Sequence, residues 1–205
     1  MSFAEAAELA YYGAKVIHPA TIHPALEGGI PVRILNTFRP NAQGTVILPG
    51  RPAGAPAVTS IASKRGIRLV NISSARMLGQ SGFMAGVFET FRRHDVVIDL
   101  IATSEVSVTV SVDRPDGLEA AVSDLSAIAN VDVEGPNALV AVVGEGLGEA
   151  VGLAGTVFSA LGAAGVNVRA ISYGATKTNL QVVVSEADAN RTVAALHAAI
   201  FEKGA

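Results

Sequence analysis

An internal repeat constrains the fold of this chain more than any other feature of its sequence. Two helical patterns stand seventy positions apart, and each places its large apolar residues on one face of a helix. The matching residues are Met84, Val87, Phe88 and Phe91 in the first copy, and Val157, Phe158 and Leu161 in the second. We therefore expect two copies of one supersecondary unit.

Strand-like segments flank the helical patterns in the same order in both copies. The predicted strands are Arg68–Ile72, Val96–Ile101, Val106–Val112 and Val131–Val133 in the first copy, and Ala138–Val143, Val166–Ile171 and Asn179–Val184 in the second. The second amphipathic helix of each copy is marked by Val122, Leu125 and Ile128, and by Val193 and Leu196. This order predicts an α+β fold of ferredoxin-like βαββαβ units, with the helices on one face of an antiparallel sheet.

The two units are predicted to be nested. The segment Ala57–Ala62 precedes the first unit and supplies the strand that the second unit lacks. We therefore expect residues 66–135 to form the first unit, inserted in a second unit made of residues 57–65 and 136–203. Half of the residues are hydrophobic, and the sheet face without helices is expected to pack against another copy of the chain.

The first 48 residues differ from the repeats. Ser2 and Glu5 have the spacing of a capping box, which predicts a helix running to Tyr12. Pro31–Leu35 and Thr45–Leu48 are predicted strands. Residues 49–56 contain three prolines and two glycines, a composition typical of a linker, so we place a domain boundary there.

Composition excludes several classes of function. The chain has no cysteine, which removes disulfides and thiolate chemistry. A net charge of −3 without a basic run argues against a nucleic-acid partner. No segment has the pattern of a membrane span or a signal peptide, so a cytoplasmic protein is expected. The histidines lack metal-ligand spacing, so no metal is expected; they are His18, His23, His94 and His197.

Two long stretches resemble the aspartate kinase family. Glu5–Thr21 (EAAELAYYGAKVIHPAT) resembles the last signature of that family's amino-acid-kinase domain, and Ile30–Ile34 with Gly44–Thr45 resembles its closing strands. The second stretch is similar to the first ACT domain of the lysine-inhibited branch; it comprises Met77–Leu78, Gly82–Phe88 and Ile98–Val108. A weaker likeness covers Ser172–Ala175 and Asn179–Leu180.

The resemblance implies the C-terminal end of an amino-acid-kinase domain, residues 1–48, followed by tandem ACT domains. The parent enzyme would phosphorylate L-aspartate to 4-phospho-L-aspartate with ATP and Mg, in the biosynthesis of lysine, threonine and methionine. Lys15 and Val16 would be nucleotide contacts of that parent. The sequence has no phosphate-binding motif. Its one glycine-rich candidate, Gly144–Gly148, is acidic and would repel a phosphate group. These 205 residues are expected to lack catalysis and cofactors of their own.

The resemblance also implies a feedback amino acid, L-lysine, bound at a homodimer interface of the first ACT unit. The implied site residues are Met77, Gln80, Ser81, Gly82, Phe83, Met84, Ile98, Asp99, Thr103, Ser104 and Glu105. The amides around Gly82 open a helix and would bind the carboxylate of the effector. Asp99 and Glu105 would each bind one of its two ammonium groups. If they bind no effector, Asp99 would be a solvated carboxylate at the end of a strand, and Glu105 would be a charged residue of a hairpin.

Three alternatives stay open. The parent enzyme of this chain would be inhibited by threonine alone, or by lysine and threonine jointly. An ACT pair can also serve as an interaction module without any ligand, although the kinase-like residues 1–48 argue against this. Met77, Phe83 and Met84 are expected to contribute to the core under every alternative.

Overall fold

A computed structural model of the chain describes residues 1–13, 24–79, 81–174 and 178–202. The predicted contacts Lys15, Val16 and Gln80 lie outside the described residues, as do His18 and His23. The helices are α1 (Phe3–Tyr11), α2 (Phe83–Arg93), α3 (Leu118–Ser126), α4 (Leu153–Ala163) and α5 (Ala189–His197). The strands are β1 (Val32–Ile34), β2 (Thr45–Ile47), β3 (Ser60–Ser73), β4 (Ile101–Thr103), β5 (Ser107–Val112), β6 (Asn130–Val143), β7 (Val168–Ser172) and β8 (Asn179–Ser185).

The N-terminal segment folds as its sequence predicts. The side chain of Ser2 accepts a hydrogen bond from the amide of Glu5, and the Glu5 side chain accepts one from the amide of Ser2, so the capping box of α1 is confirmed. Strands β1 and β2 pair as an antiparallel ribbon. Phe3 and Ala6 of α1 pack on Ile47 of β2, so the helix and the ribbon form one small core.

A six-stranded antiparallel sheet joins both repeats, in the order β4-β5-β3-β6-β8-β7. Its central strands β3 and β6 are 14 residues long and pair from Ser60 with Val143 to Ser73 with Asn130. The prediction of separate strands at Ala57–Ala62 and Arg68–Ile72 is wrong, because residues 60–62 and Arg68–Ile72 belong to the one strand β3, which begins at Ser60. Gly66, at a φ of 76°, provides the left-handed turn at which the register shifts.

The nesting of the units is confirmed by the strand pairs. The second half of β3 pairs with β5, while the second half of β6 pairs with β8. The first unit is therefore the β4-β5-β3-β6 half of the sheet, and the second unit is the β3-β6-β8-β7 half. Both long strands belong to both units, which fits the predicted ferredoxin-like, inserted fold class.

Each unit has its own core on the helix side of the sheet. The first core includes Val70, Ile72, Val87, Phe91, Val110 and Leu125, and the second includes Val140, Val142, Val157, Leu161, Val182 and Leu196. The repeated apolar pattern thus marks the buried face of α2 and α4. Ile128 was predicted to belong to the buried face of α3, but the helix ends at Ser126 and Ile128 is exposed.

The strand predicted at Val96–Ile101 is also wrong in its position. Regular pairing covers Ile101–Thr103 only, and residues 96–100 form no regular strand. Ser111 takes over the local hydrogen bonding, since its carbonyl accepts from the amide of Asp99 at 3.0 Å and its hydroxyl accepts from the amide of Leu100 at 2.9 Å.

The sheet face without the ACT helices is partly covered by α1. Leu9 and Tyr12 of this helix pack with Leu69, Leu139 and Ala170 in one buried cluster. A second copy of the chain was expected to cover that face, but within this chain α1 already covers its centre. The described part of the chain contains no helix that is long and apolar enough to cross a membrane.

Candidate functional site

An open groove brings five of the predicted effector residues together in the first unit. It is lined by Met77, Met84, Thr103, Ser104 and Glu105. These residues come from the short helical turn before α2, the first turn of α2 and the hairpin between β4 and β5. Ser104 stabilises the hairpin, because its amide donates to the carbonyl of Ser107 at 2.8 Å and the two hydroxyls lie 2.6 Å apart.

The N-terminus of α2 forms one end of this region. Gly82 is the N-cap residue, with a φ of 90°, and no side chain of the described residues caps the helix. Glycine cannot supply the side-chain acceptor that Ser2 supplies at α1. Ser81 and Gly82 are exposed. This arrangement suits an anionic group such as a carboxylate.

The apolar residues of the predicted site also serve the core. Met77, Phe83, Met84 and Ile98 are partly buried and pack against the first unit's core. The expectation that Met77, Phe83 and Met84 contribute to the core is therefore confirmed. Met77 and Met84 have both roles, since they also line the groove. Glu105 is an exposed hairpin residue beside them.

Asp99 lies in different surroundings. Its side chain is 4% exposed, so the alternative of a solvated strand-end carboxylate is wrong. The Tyr11 hydroxyl of α1 donates a hydrogen bond to Oδ1 of Asp99. The ammonium of Lys64 stands 3.9 Å from Oδ2 of Asp99 but 2.5 Å from Asp113, and 4.5 Å from the centre of the Tyr11 ring.

Burial dominates the protonation of Asp99. Lys64 is closer to Asp113 than to Asp99, and this leaves the buried charge of Asp99 largely uncompensated. Burial, together with the neighbouring Asp113 carboxylate, raises the pKa of Asp99 to about 6, although the charge of Arg114 acts in the opposite direction. Asp99 is therefore mostly ionised at neutral pH, and it becomes protonated as the pH falls through its pKa of about 6.

Within one chain, the predicted site residues thus form two groups. Asp99 is not among the residues that line the groove of the same chain.

Sequence reasoning missed the partners of Asp99. Tyr11, Lys64 and Asp113 come from α1, β3 and the end of β5, and Tyr11 precedes Asp99 by 88 positions. No motif spacing links these residues. Tyr11 did belong to the kinase-like stretch, but nothing in the sequence placed that stretch against the ACT sheet.

No cluster of three or more potential metal-ligating residues occurs in the described ranges. Gly144 and Gly146 of the acidic loop have a packing role. A Cβ on Gly144 would stand 2.0 Å from the carbonyl oxygen of Ala57, and one on Gly146 would stand 2.6 Å from the guanidinium of Arg51. These glycines let residues 51–57 approach the second unit closely.

Comparison with known proteins agrees with this fold. The ACT domain family matches residues 70–126 and 140–200. The chain is 40% identical to aspartokinase 2, chloroplastic, of Arabidopsis thaliana, over 98% of this chain and 39% of that protein. The structure of Escherichia coli aspartokinase III with lysine and aspartate (T-state) is 39% identical, with a TM-score of 0.81, over 98% of this chain and 46% of that one.

The same E. coli enzyme in complex with aspartate and ADP (R-state) gives a TM-score of 0.86 at 38% identity, with the same coverage. The chain spans less than half the length of these relatives. It belongs to the ACT-domain family, as the regulatory region of an aspartokinase.

Proposed function

We propose that this chain senses a feedback amino acid for an aspartokinase and that its first ACT unit binds L-lysine. The observation that carries the proposal is the groove at Met77, Met84, Thr103, Ser104 and Glu105, beside a helix N-terminus whose N-cap residue is a glycine. Its chemistry suits each part of lysine. The similarity to an E. coli aspartokinase solved with lysine supports the choice of effector.

Each part of the effector has a partner in this arrangement. The carboxylate of lysine binds the first amide groups of α2, and its aliphatic stem lies on Met77 and Met84. Thr103 and Ser104 supply hydroxyl groups. Glu105 binds one ammonium group by a charge-assisted hydrogen bond.

The second ammonium group is assigned to Asp99 of another copy, because Asp99 does not line the groove of its own chain. The functional form is accordingly a homodimer or a larger assembly of the chain. In such an assembly, lysine favours one arrangement of the two copies. By linkage, lysine that lowers substrate affinity is itself bound less tightly when substrate is present.

The activity of the parent protein follows from the same similarity. It transfers a phosphoryl group from ATP to L-aspartate, with Mg as the metal of the nucleotide. The E. coli relative was solved with aspartate and ADP. The cytoplasmic location stays a prediction, because the Arabidopsis relative is named as chloroplastic. For the chain itself we expect no ATP-induced thermal stabilisation.

Calorimetry with lysine, threonine and methionine tests the effector. Lysine is expected to bind, and Glu105→Gln should weaken it about ten- to a hundred-fold, the effect of a lost charge-assisted hydrogen bond. Glu119→Gln, at an exposed glutamate in the first turn of α3, is the matched control. Binding of threonine alone would support the threonine-responsive alternative. Absence of binding by all three would favour a ligand-free interaction module.

A further inference from the structure

The C-terminal end of α1 contacts the first ACT unit at an acidic cluster. Tyr11 donates its hydroxyl hydrogen to Asp99, and its ring lies under the Lys64 ammonium. Lys64 in turn forms its shorter ion pair with Asp113. Two carboxylates of the first unit are thus held by one hydroxyl and one ammonium of the same chain.

One oxygen of this cluster lacks a hydrogen bond. Oδ2 of Asp99 is buried and receives no hydrogen bond from the described residues, and Lys64 is 3.9 Å away. Buried carboxylate oxygens are normally satisfied, and leaving one without a donor is costly. Lys64 and Arg114 are the cations that act on this cluster, but neither donates a hydrogen bond to Oδ2 of Asp99. This unused acceptor suits an additional ammonium group.

We propose that Tyr11 and Lys64 are internal occupants of an ammonium subsite formed by Asp99 and Asp113, and that the ammonium group of an amino-acid effector displaces them. This inference rests on the proposed function, because it names the regulation of that same site. Displacement separates Tyr11 from Asp99 and so breaks the hydrogen bond between the C-terminal end of α1 and the first unit.

The N-terminal end of α1 has separate contacts, which displacement of Tyr11 leaves in place. Glu5, near the start of the helix, accepts hydrogen bonds from Thr59 at 2.5 Å and from the amide of Glu145 at 2.9 Å. These contacts tie the N-terminal end of α1 to the second unit. Loss of the Tyr11 contact therefore removes a polar tie at the C-terminal end of α1, while Leu9 and Tyr12 stay packed on the sheet. In this way effector binding in the first unit reaches the segment that resembles a kinase domain.

Lysine titration of three variants tests the competition. Tyr11→Phe removes the hydroxyl but keeps the ring beside Tyr12, and it should tighten lysine binding roughly two- to ten-fold, the effect of one lost competing hydrogen bond. Lys64→Met removes the internal cation and should tighten binding at least as much. Tyr173→Phe is the matched control, because its hydroxyl donates to the carbonyl of Leu147 in the second unit.

Hydrogen exchange of the α1 amides provides the second measurement. Exchange in the last turn of α1 should accelerate in Tyr11→Phe without ligand, and in the wild type when lysine is added. If the wild type binds lysine while both substitutions leave the affinity unchanged or lower it, the competition is refuted and the effector site stands. If the wild type binds no lysine, both the effector site and the competition are refuted.

Discussion

The carboxylate of Glu5 accepts a hydrogen bond of 2.9 Å from the backbone amide of Glu145, 140 residues further along the chain. The same carboxylate accepts from Thr59 and from the amide of Ser2. Burial alone would raise the pKa of Glu5, but these hydrogen bonds outweigh it and hold the pKa below its usual range. A single buried side chain thus joins α1, the segment before β3 and the second unit.

Glu5→Ala should destabilise the chain by about 2–4 kcal/mol, because two backbone amides lose their acceptor in a buried position. Denaturant unfolding measures this free energy. Ala substitution of exposed Glu119 controls for the loss of a first-turn glutamate and should cost little. A loss below about 0.5 kcal/mol in Glu5→Ala would show that water replaces the missing acceptor.

Gly144→Ala should cost about 1–3 kcal/mol, because the added Cβ would overlap the carbonyl oxygen of Ala57 and force the backbone apart. Gly162→Ala is the matched control. Gly162 lies in α4 and its Cβ would enter open space, so alanine should stabilise the chain by about 0.4–1 kcal/mol. Thermal unfolding should show a lower melting temperature for Gly144→Ala and a higher one for Gly162→Ala. Equal changes in melting temperature would contradict the close contact with Ala57.

Asp99 should make the stability depend on pH between about 4 and 6. Its pKa is about 6 in the folded chain, above the ordinary value of 3.8. The stability associated with its protonated form is fully present below pH 3.8 and is lost as the pH rises through 6. Asp99→Asn resembles the protonated form, so its melting temperature should rise relative to wild type over this interval.

Melting curves of both proteins from pH 4 to pH 7 provide the test. Asp116→Asn, at an exposed aspartate, reports the effect of removing a surface carboxylate. A difference between wild type and Asp99→Asn that stays constant with pH would show that Asp99 is not desolvated in solution.

Self-association should involve the outer strand of the first unit. Among the described residues β4 is an edge strand that forms regular pairs with β5, and its Ile101 is exposed. Ile101→Arg should weaken association measured by sedimentation at tens of micromolar, whereas Ile128→Arg, at an exposed isoleucine near α3, should not. A monomer at these concentrations in the wild type would refute the proposed assembly.

The sequence predicted the helices and strands better than the way in which they connect and pack together. Apolar repeats identified α2 and α4, because burial of one helix face leaves a periodic signal. The continuity of β3 through Gly66 was not predictable, since a glycine and a change of pattern resemble a break between strands. The docking of Leu9 and Tyr12 on the sheet was equally hidden, because it depends on contacts between distant segments.

The candidate site shows the same division. Met77, Met84 and Glu105 meet in the groove as the family resemblance implied. The role of Asp99 as an effector contact stays a prediction, and its partners Tyr11 and Lys64 were not predicted. The surroundings of Asp99 form where α1 packs on the sheet, and the local sequence around Asp99 does not predict that contact.

The shared strands also set an order of folding. Residues 60–65 of β3 pair with residues 138–143 of β6, so the second unit cannot close its sheet until the intervening segment brings these ends together. Closing so long a loop from an unfolded chain costs conformational entropy. The first unit is contiguous in sequence, and by pairing Ile67–Ser73 with Asn130–Asn137 it aligns the strand halves that the second unit needs. It therefore acts as a template for its neighbour, and a substitution that delays its folding will delay both.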